Sequence, residues 1–133
     1  MFQTSFPVRY YEADPMGVVH HSEYLRYFEL ARNLWLKEVG YTYDHSLEDN
    51  IVFPVVDLEC HYKHSARFGQ VLTATVEVSE FDMVTATFLQ KVIDPQGRVC
   101  AEGKVRIAFL NTKLGRPVRC PARLVEKVES LIK

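Results

Sequence analysis

Tyr11 to Tyr24 reads YEADPMGVVHHSEY. Asp14 precedes Pro15, which biases it away from helix towards an extended or turn conformation. Gly17 lets the loop take backbone angles closed to other residues. His20 and His21 lead into Ser22 and Glu23, where an apolar helical pattern begins. The stretch therefore reads as a strand end, an unusual loop over 12–22 and a helix start. It brings a carboxylate, imidazoles and the free N–H groups of a helix N-terminus into one short segment. Those are the parts needed to activate water and to hold a developing oxyanion.

On the N-terminal side, residues 5–11 read as a short strand. On the other side, residues 23–39 have a helical period, with Tyr24, Tyr27, Phe28, Ala31, Leu34 and Trp35 on one broad stripe. Leu25, Leu30 and Leu36 widen that stripe, and a helix apolar on most sides is a buried one. Gly40 is placed to end it. Residues 41–50 read as a loop, and residues 51–64 then alternate. Val56, Leu58, Cys60 and Tyr62 share one face of that strand, with Pro54 marking its start or an edge. A turn at Arg67–Gln70 leads to a strand with Leu72, Ala74, Val76 and Val78 inward. A third strand spans about 84–93, and Asp94-Pro95-Gln96-Gly97 has the residues a type I turn favours. The last long strand carries Val99, Ala101, Gly103, Val105, Ile107 and Phe109 on one face, and Gly103 would let a helix approach closely. Pro121 then opens an amphipathic helix bearing Leu124, Val125, Val128, Leu131 and Ile132.

This order is strand, helix, four strands and a terminal helix. It predicts an α+β architecture, an antiparallel five-stranded sheet curled around a long central helix, plus a short C-terminal helix. A chain of 133 residues with 47% apolar and 25% charged residues is expected to form one ordered domain over residues 1–133. A formal charge of −1, without long basic runs, argues against nucleic acid as a partner. The three cysteines, Cys60, Cys100 and Cys120, have no CxxC spacing, which favours reduced thiols over a disulfide framework or zinc cluster. No stretch reads as a signal peptide or a membrane span. The chain is therefore expected to be soluble and cytoplasmic. His61 and His64 stand three apart on a strand and point to opposite faces, so no metal site is expected there.

Val8-Arg9-Tyr10-Tyr11-Glu12, Asp14-Pro15-Met16-Gly17-Val18-Val19, His21, Tyr24 and Tyr27-Phe28-Glu29-Leu30-Ala31-Arg32 together resemble the hotdog-fold acyl-CoA thioesterases. The resemblance is to the branch of 4-hydroxybenzoyl-CoA thioesterase and the YbgC-like hydrolases. It implies the hotdog fold, hydrolysis of an acyl thioester to free acid and thiol, no cofactor or metal, and a homodimer or homotetramer. It implies that Asp14 is the catalytic carboxylate, as general base or as nucleophile. The backbone N–H near His21 would polarise the thioester carbonyl, with the His21 side chain assisting and Gly17 and His20 supporting the loop. At His20 the family commonly has an aromatic residue. The family's basic cluster near the turn before the third long strand is replaced here by Ser79-Glu80-Phe81-Asp82-Met83-Val84. Nucleotide phosphates would then fall to Lys63, Arg67, Arg116 or Arg119, and an acyl carrier protein competes with CoA as the thiol carrier. Tyr24 is a further candidate for substrate contact.

Each of these residues has a plainer reading. Asp14 could be a turn residue, His21 a cap, and Glu29 with Arg32 an ion pair at i, i+3. Glu12 is expected at the surface or paired with a nearby arginine. Hotdog proteins also include acyl-thioester hydratases or dehydratases, but the Asn-Pro-rich approach to their histidine is missing here. A non-catalytic acyl-CoA binding regulator is the other alternative, and it usually carries a DNA-binding domain for which this chain has no room.

Overall fold

The computed structural model describes residues 1–132, with side chains as far as residue 129. In chain order the elements are β1 (Phe2–Pro7), α1 (Glu23–Glu38), α2 (Tyr43–Asp49), β2 (Ile51–Val52), β3 (Val55–Tyr62), β4 (Val71–Phe81), β5 (Thr85–Ile93), β6 (Val99–Ala108), β7 (Leu110–Asn111), β8 (Arg116–Pro117) and α3 (Ala122–Ile132). Five of the strands make one antiparallel sheet in the spatial order β1-β4-β5-β6-β3, and β2-β7-β8 make a small second sheet. Register shifts in the β3–β6, β4–β5 and β5–β6 pairs bend the large sheet, because an extra residue in one strand increases local twist.

The sheet curls around α1. Tyr24, Tyr27, Phe28, Ala31 and Trp35 are buried at helical spacing, while Arg26, Glu29, Asn33 and Lys37 face out. Gly103 of β6 makes the closest approach possible. A Cβ there would stand 2.6 Å from Phe28 Cε2 and 2.9 Å from the Glu59 carbonyl oxygen. Gln90 ties the same helix to β5, its Nε2 donating to the Phe28 carbonyl at 2.9 Å. Gly40 ends the helix with φ at +93°, where a residue with a Cβ would be strained.

Four expectations about boundaries and faces need correction. The first strand lies at Phe2–Pro7, and Tyr10–Glu12 form a 3-10 turn instead of its continuation. Residues 41–50 contain α2, whose N-cap Thr42 accepts from His45 N–H at 3.3 Å and whose C-cap Asn50 is left-handed, with φ at +55°. Its seven residues bury no side chain, so hydrophobic periodicity could not reveal it. The expected strand over 51–64 breaks at Phe53-Pro54 into β2 and β3. β3 also does not bury the face assigned to it. Val56, Leu58 and Tyr62 are exposed; β3 is the sheet's last strand, and among the described residues no strand pairs with its outer edge. The terminal helix forms as expected, with Leu124 and Val128 buried, while the side chains of Leu131 and Ile132 lie outside the described residues.

Candidate active site

Residues 12–20 fold into a small hairpin. Asp14 N–H donates to the Val18 carbonyl at 2.8 Å, and His20 N–H donates to the Glu12 carbonyl at 3.0 Å. The tip closes with Gly17 N–H on the Asp14 carbonyl at 2.9 Å. Gly17 takes φ of +82°, so its placement in the loop is a matter of backbone angle; no atom lies within 4 Å of where a Cβ would sit. The hairpin docks on the turn after β3. Val19 N–H reaches the Ala66 carbonyl at 2.8 Å, and Phe68 N–H reaches the Gly17 carbonyl at 3.0 Å.

Two carboxylates on this hairpin have different surroundings. Glu12 is buried, which corrects its expected surface position, and it is paired with Arg9 as the alternative expectation had it. Its Oε1 accepts from Arg9 N–H at 2.8 Å and from the Tyr27 hydroxyl at 3.2 Å, and its Oε2 meets Arg9 Nη1 at 3.4 Å. Burial, then the adjacent Glu12 charge, push the Tyr27 phenol far above its ordinary pKa, so it remains a donor. Asp14 is half-buried, and only its Oδ1 is occupied, by Met16 N–H at 2.8 Å and Val18 N–H at 3.3 Å. Among the described residues nothing hydrogen-bonds Oδ2.

The far end of the hairpin runs into α1. Ser22 is the N-cap and makes no side-chain cap bond. Instead Ser22 N–H and Oγ lie 3.2 and 2.8 Å from His20 Nδ1. The N–H makes Nδ1 an acceptor and leaves the His20 proton on Nε2. His20 thus braces the N-cap residue at the helix entrance. Among the described residues the His21 N–H meets no acceptor, while the His21 carbonyl accepts from the Tyr62 hydroxyl at 3.1 Å. His21 directly precedes the N-cap Ser22, at the positive end of the helix dipole. The His21 ring is exposed and makes no hydrogen bond among the described residues. It lies 4.1 Å from the His20 ring and 6.3 Å from the Tyr62 ring, centre to centre.

Asp14 and His21 thus sit at opposite ends of one hairpin and do not touch. Beside His21, Val19, Tyr24, Tyr62 and Lys63 line a small pocket of about 220 Å³.

The comparisons identify the family. The model of the thioesterase-like superfamily matches residues 8–128. The acyl-CoA thioesterase YbgC of Haemophilus influenzae is 34% identical over 120 residues, covering 88% of this chain and 88% of its own. The chain belongs to the thioesterase-like superfamily. Its fold is the hotdog fold of the YbgC-like thioesterases. The long-chain acyl-CoA thioesterase FadM of Escherichia coli is 26% identical over 132 residues, covering 98% of this chain and 99% of FadM. A crystal structure of a hypothetical protein from Thermus thermophilus superposes with a TM-score of 0.89 at 33% identity, covering 97% of this chain and 98% of that one.

Within this thioesterase fold the remaining candidates are placed unevenly. Tyr24 is buried, and its hydroxyl accepts from Ala66 N–H at 3.0 Å, so it supports the pocket wall and has little freedom left for a ligand. Burial is the main reason its phenol pKa is raised. Lys63 lines the pocket but pairs with Glu102 at 3.1 Å. Arg67 is exposed and bridges Val18 through the backbone, so it borders the loop. Arg116 belongs to the small sheet, on β8. The sequence reading overlooked Tyr62 as a site residue. Its alternation was noted, but its contact with the His21 carbonyl depends on how β3 and the helix entrance meet in space.

Proposed function

We propose that this protein hydrolyses acyl-CoA thioesters, with Asp14 activating water and the α1 N-terminus at His21 polarising the carbonyl. The observation that carries the reading is the pair of vacant groups on one hairpin, Asp14 Oδ2 and His21 N–H. Oδ2 takes a proton from water as the water oxygen attacks the thioester carbon. The His21 N–H receives the oxyanion that forms. The C–S bond then breaks, and the thiol leaves with the proton from Asp14. The names of the YbgC and FadM relatives support CoA as the carrier over an acyl carrier protein. We assign the small pocket beside Tyr62 and Lys63 to the thiol side of the substrate. The three free thiols suit a reducing compartment such as cytosol.

The test is thiol release from acyl-CoAs of graded chain length and aromatic character, beside the same acyl groups on acyl carrier protein. An enoyl-CoA followed by absorbance covers hydration. Turnover with thiol release, reduced roughly 10²–10⁴-fold in Asp14→Asn, is the expected result for a positioned general base. A variant retaining more than about a third of the wild-type turnover would remove Asp14 from the mechanism.

Exposed apolar residues on β3 further support assembly. Val55, Val56, Leu58 and Tyr62 are 40–50% exposed on a strand whose outer backbone edge has no paired strand among the described residues. An uncovered apolar edge strand is a template for pairing, and we infer that a second copy supplies the partner.

A further inference from the structure

Away from the hairpin, α1 and the sheet enclose a second, larger space. It measures about 960 Å³, within the range typical of small-molecule sites, and no residue of 11–24 lines it. Its wall is mostly apolar, built from Trp35, Phe53, Phe88, Phe109 and Leu124, with exposed Tyr43 and Val52 at its rim. Two cations line it, Arg32 and Lys37; Lys37 is exposed, and Arg32 is the half-buried one.

The surroundings of Arg32 are unusual for a half-buried guanidinium. The sequence allowed an ion pair with Glu29, yet among the described residues no carboxylate stands within 4 Å of it. Its hydrogen-bond partner is neutral: Nη1 donates to Gln90 Oε1 at 2.9 Å. Gln90 is held in that orientation by the bond from its Nε2 to the Phe28 carbonyl. A guanidinium carries five N–H donors, and one is used. Burial lowers the Arg32 pKa, with Glu29 opposing, but an arginine remains charged at neutral pH. A desolvated cation with a neutral partner is costly to hold, whereas a carboxylate would meet its planar fork in bidentate fashion. Glu29 and Asp44 also line the space and would repel an anion, but both are exposed and their charges are screened by solvent.

We propose that this cavity binds an apolar chain or ring system bearing one carboxylate, with the carboxylate on Arg32. Two sources share that chemistry. One is a free fatty or aromatic acid, and the other is an acyl group carrying a carboxylate at its distal end. Binding at the site stands independently of hydrolysis at Asp14, and only its assignment to the acyl group rests on the proposed function.

Trp35 is the single tryptophan of the chain and lies in the cavity wall, so its fluorescence reports occupancy without any activity. Decanoate should change the Trp35 emission saturably, and decanol, of equal length but neutral, should bind about tenfold more weakly or worse, the loss expected for one charge-assisted contact. Arg32→Gln should weaken decanoate by a similar factor and leave decanol unchanged, and Arg32→Lys should recover part of the loss. Unchanged decanol binding and an unchanged far-ultraviolet spectrum show that the variant is folded. Should Arg32→Gln not fold, the decanoate–decanol comparison on wild type decides alone. Equal affinities for acid and alcohol, no saturable change, or full decanoate binding by folded Arg32→Gln would overturn the proposal. Asp14→Asn should bind decanoate as wild type does, which separates this site from the hydrolytic one. A kinetic preference for the mono-CoA thioester of sebacic acid over decanoyl-CoA assigns the site to the acyl group. Decanoate binding without that preference assigns it to a free acid.

Discussion

Glu12 and Asp14, two residues apart on one hairpin, are surrounded in opposite ways. Glu12 holds Arg9 and the Tyr27 hydroxyl and has no oxygen left for a substrate. Asp14 keeps one oxygen without a protein partner while the other is fixed by two backbone N–H groups. Substitution by the amides should therefore separate stability from turnover. Glu12→Gln should cost on the order of 1.5–3 kcal/mol, the scale of hydrogen bonds to a charged group, and leave kcat of the folded protein near wild type. Asp14→Asn keeps an oxygen to accept from Met16 and Val18 and should lose turnover with little change in Tm. Chemical denaturation and kcat measured on both variants check this, and the reverse pattern would exchange the two roles. The thiols make a separate prediction. Burial pushes Cys100 to about 11 and Cys120 to about 12, and it also raises Cys60. Thiolate is the reactive form, so a disulfide reagent should label the native protein slowly and all three cysteines rapidly after unfolding. Rapid labelling of all three in the native state would show that these sulfurs are not buried as described.

At the scale of elements, the seat of α1 on the sheet depends on Gly103. A methyl group there meets the Phe28 ring and a backbone carbonyl at distances that ordinary Cβ atoms do not reach. The Phe28 ring is fully buried and cannot swing to solvent. Gly103→Ala should destabilise by about 1–3 kcal/mol, the usual cost of overpacking. It should also weaken turnover under the proposed mechanism, because His21 directly precedes the N-cap of the same helix. Equilibrium unfolding with a parallel rate measurement tests both parts; a neutral substitution would mean the helix can lift without consequence.

At the scale of the molecule, β3 leaves apolar side chains and one backbone edge uncovered. The expected state is at least a homodimer. Sedimentation at micromolar concentration should show it, and Leu58→Lys should shift the population towards monomer. A stable wild-type monomer would contradict the assignment of β3 as an interface. Hydrolysis should also persist after exhaustive EDTA treatment, since the proposed mechanism draws both base and oxyanion donor from Asp14 and His21. Activity lost to chelation and restored by one divalent ion would replace that mechanism.

Local chemistry was enough to place much of this protein. The Asp-Pro and Gly pair fixed a tight loop, the spacing of Tyr24, Tyr27, Phe28, Ala31 and Trp35 fixed a buried helix, and Gly103 marked a close contact, all consequences of short-range sterics and periodicity. The motif from Val8 to Arg32 carried the family. Four features needed the tertiary structure. α2 buries no side chain, so no apolar pattern announced it. β3 alternates like a half-buried strand, but burial depends on which strands stand beside it, and β3 is at the edge. Glu12 became a buried anchor because the chain returns Tyr27 over it. Arg32 passed over its neighbour Glu29 for Gln90, which is 58 residues away, and only the docking of α1 on β5 brings those two together.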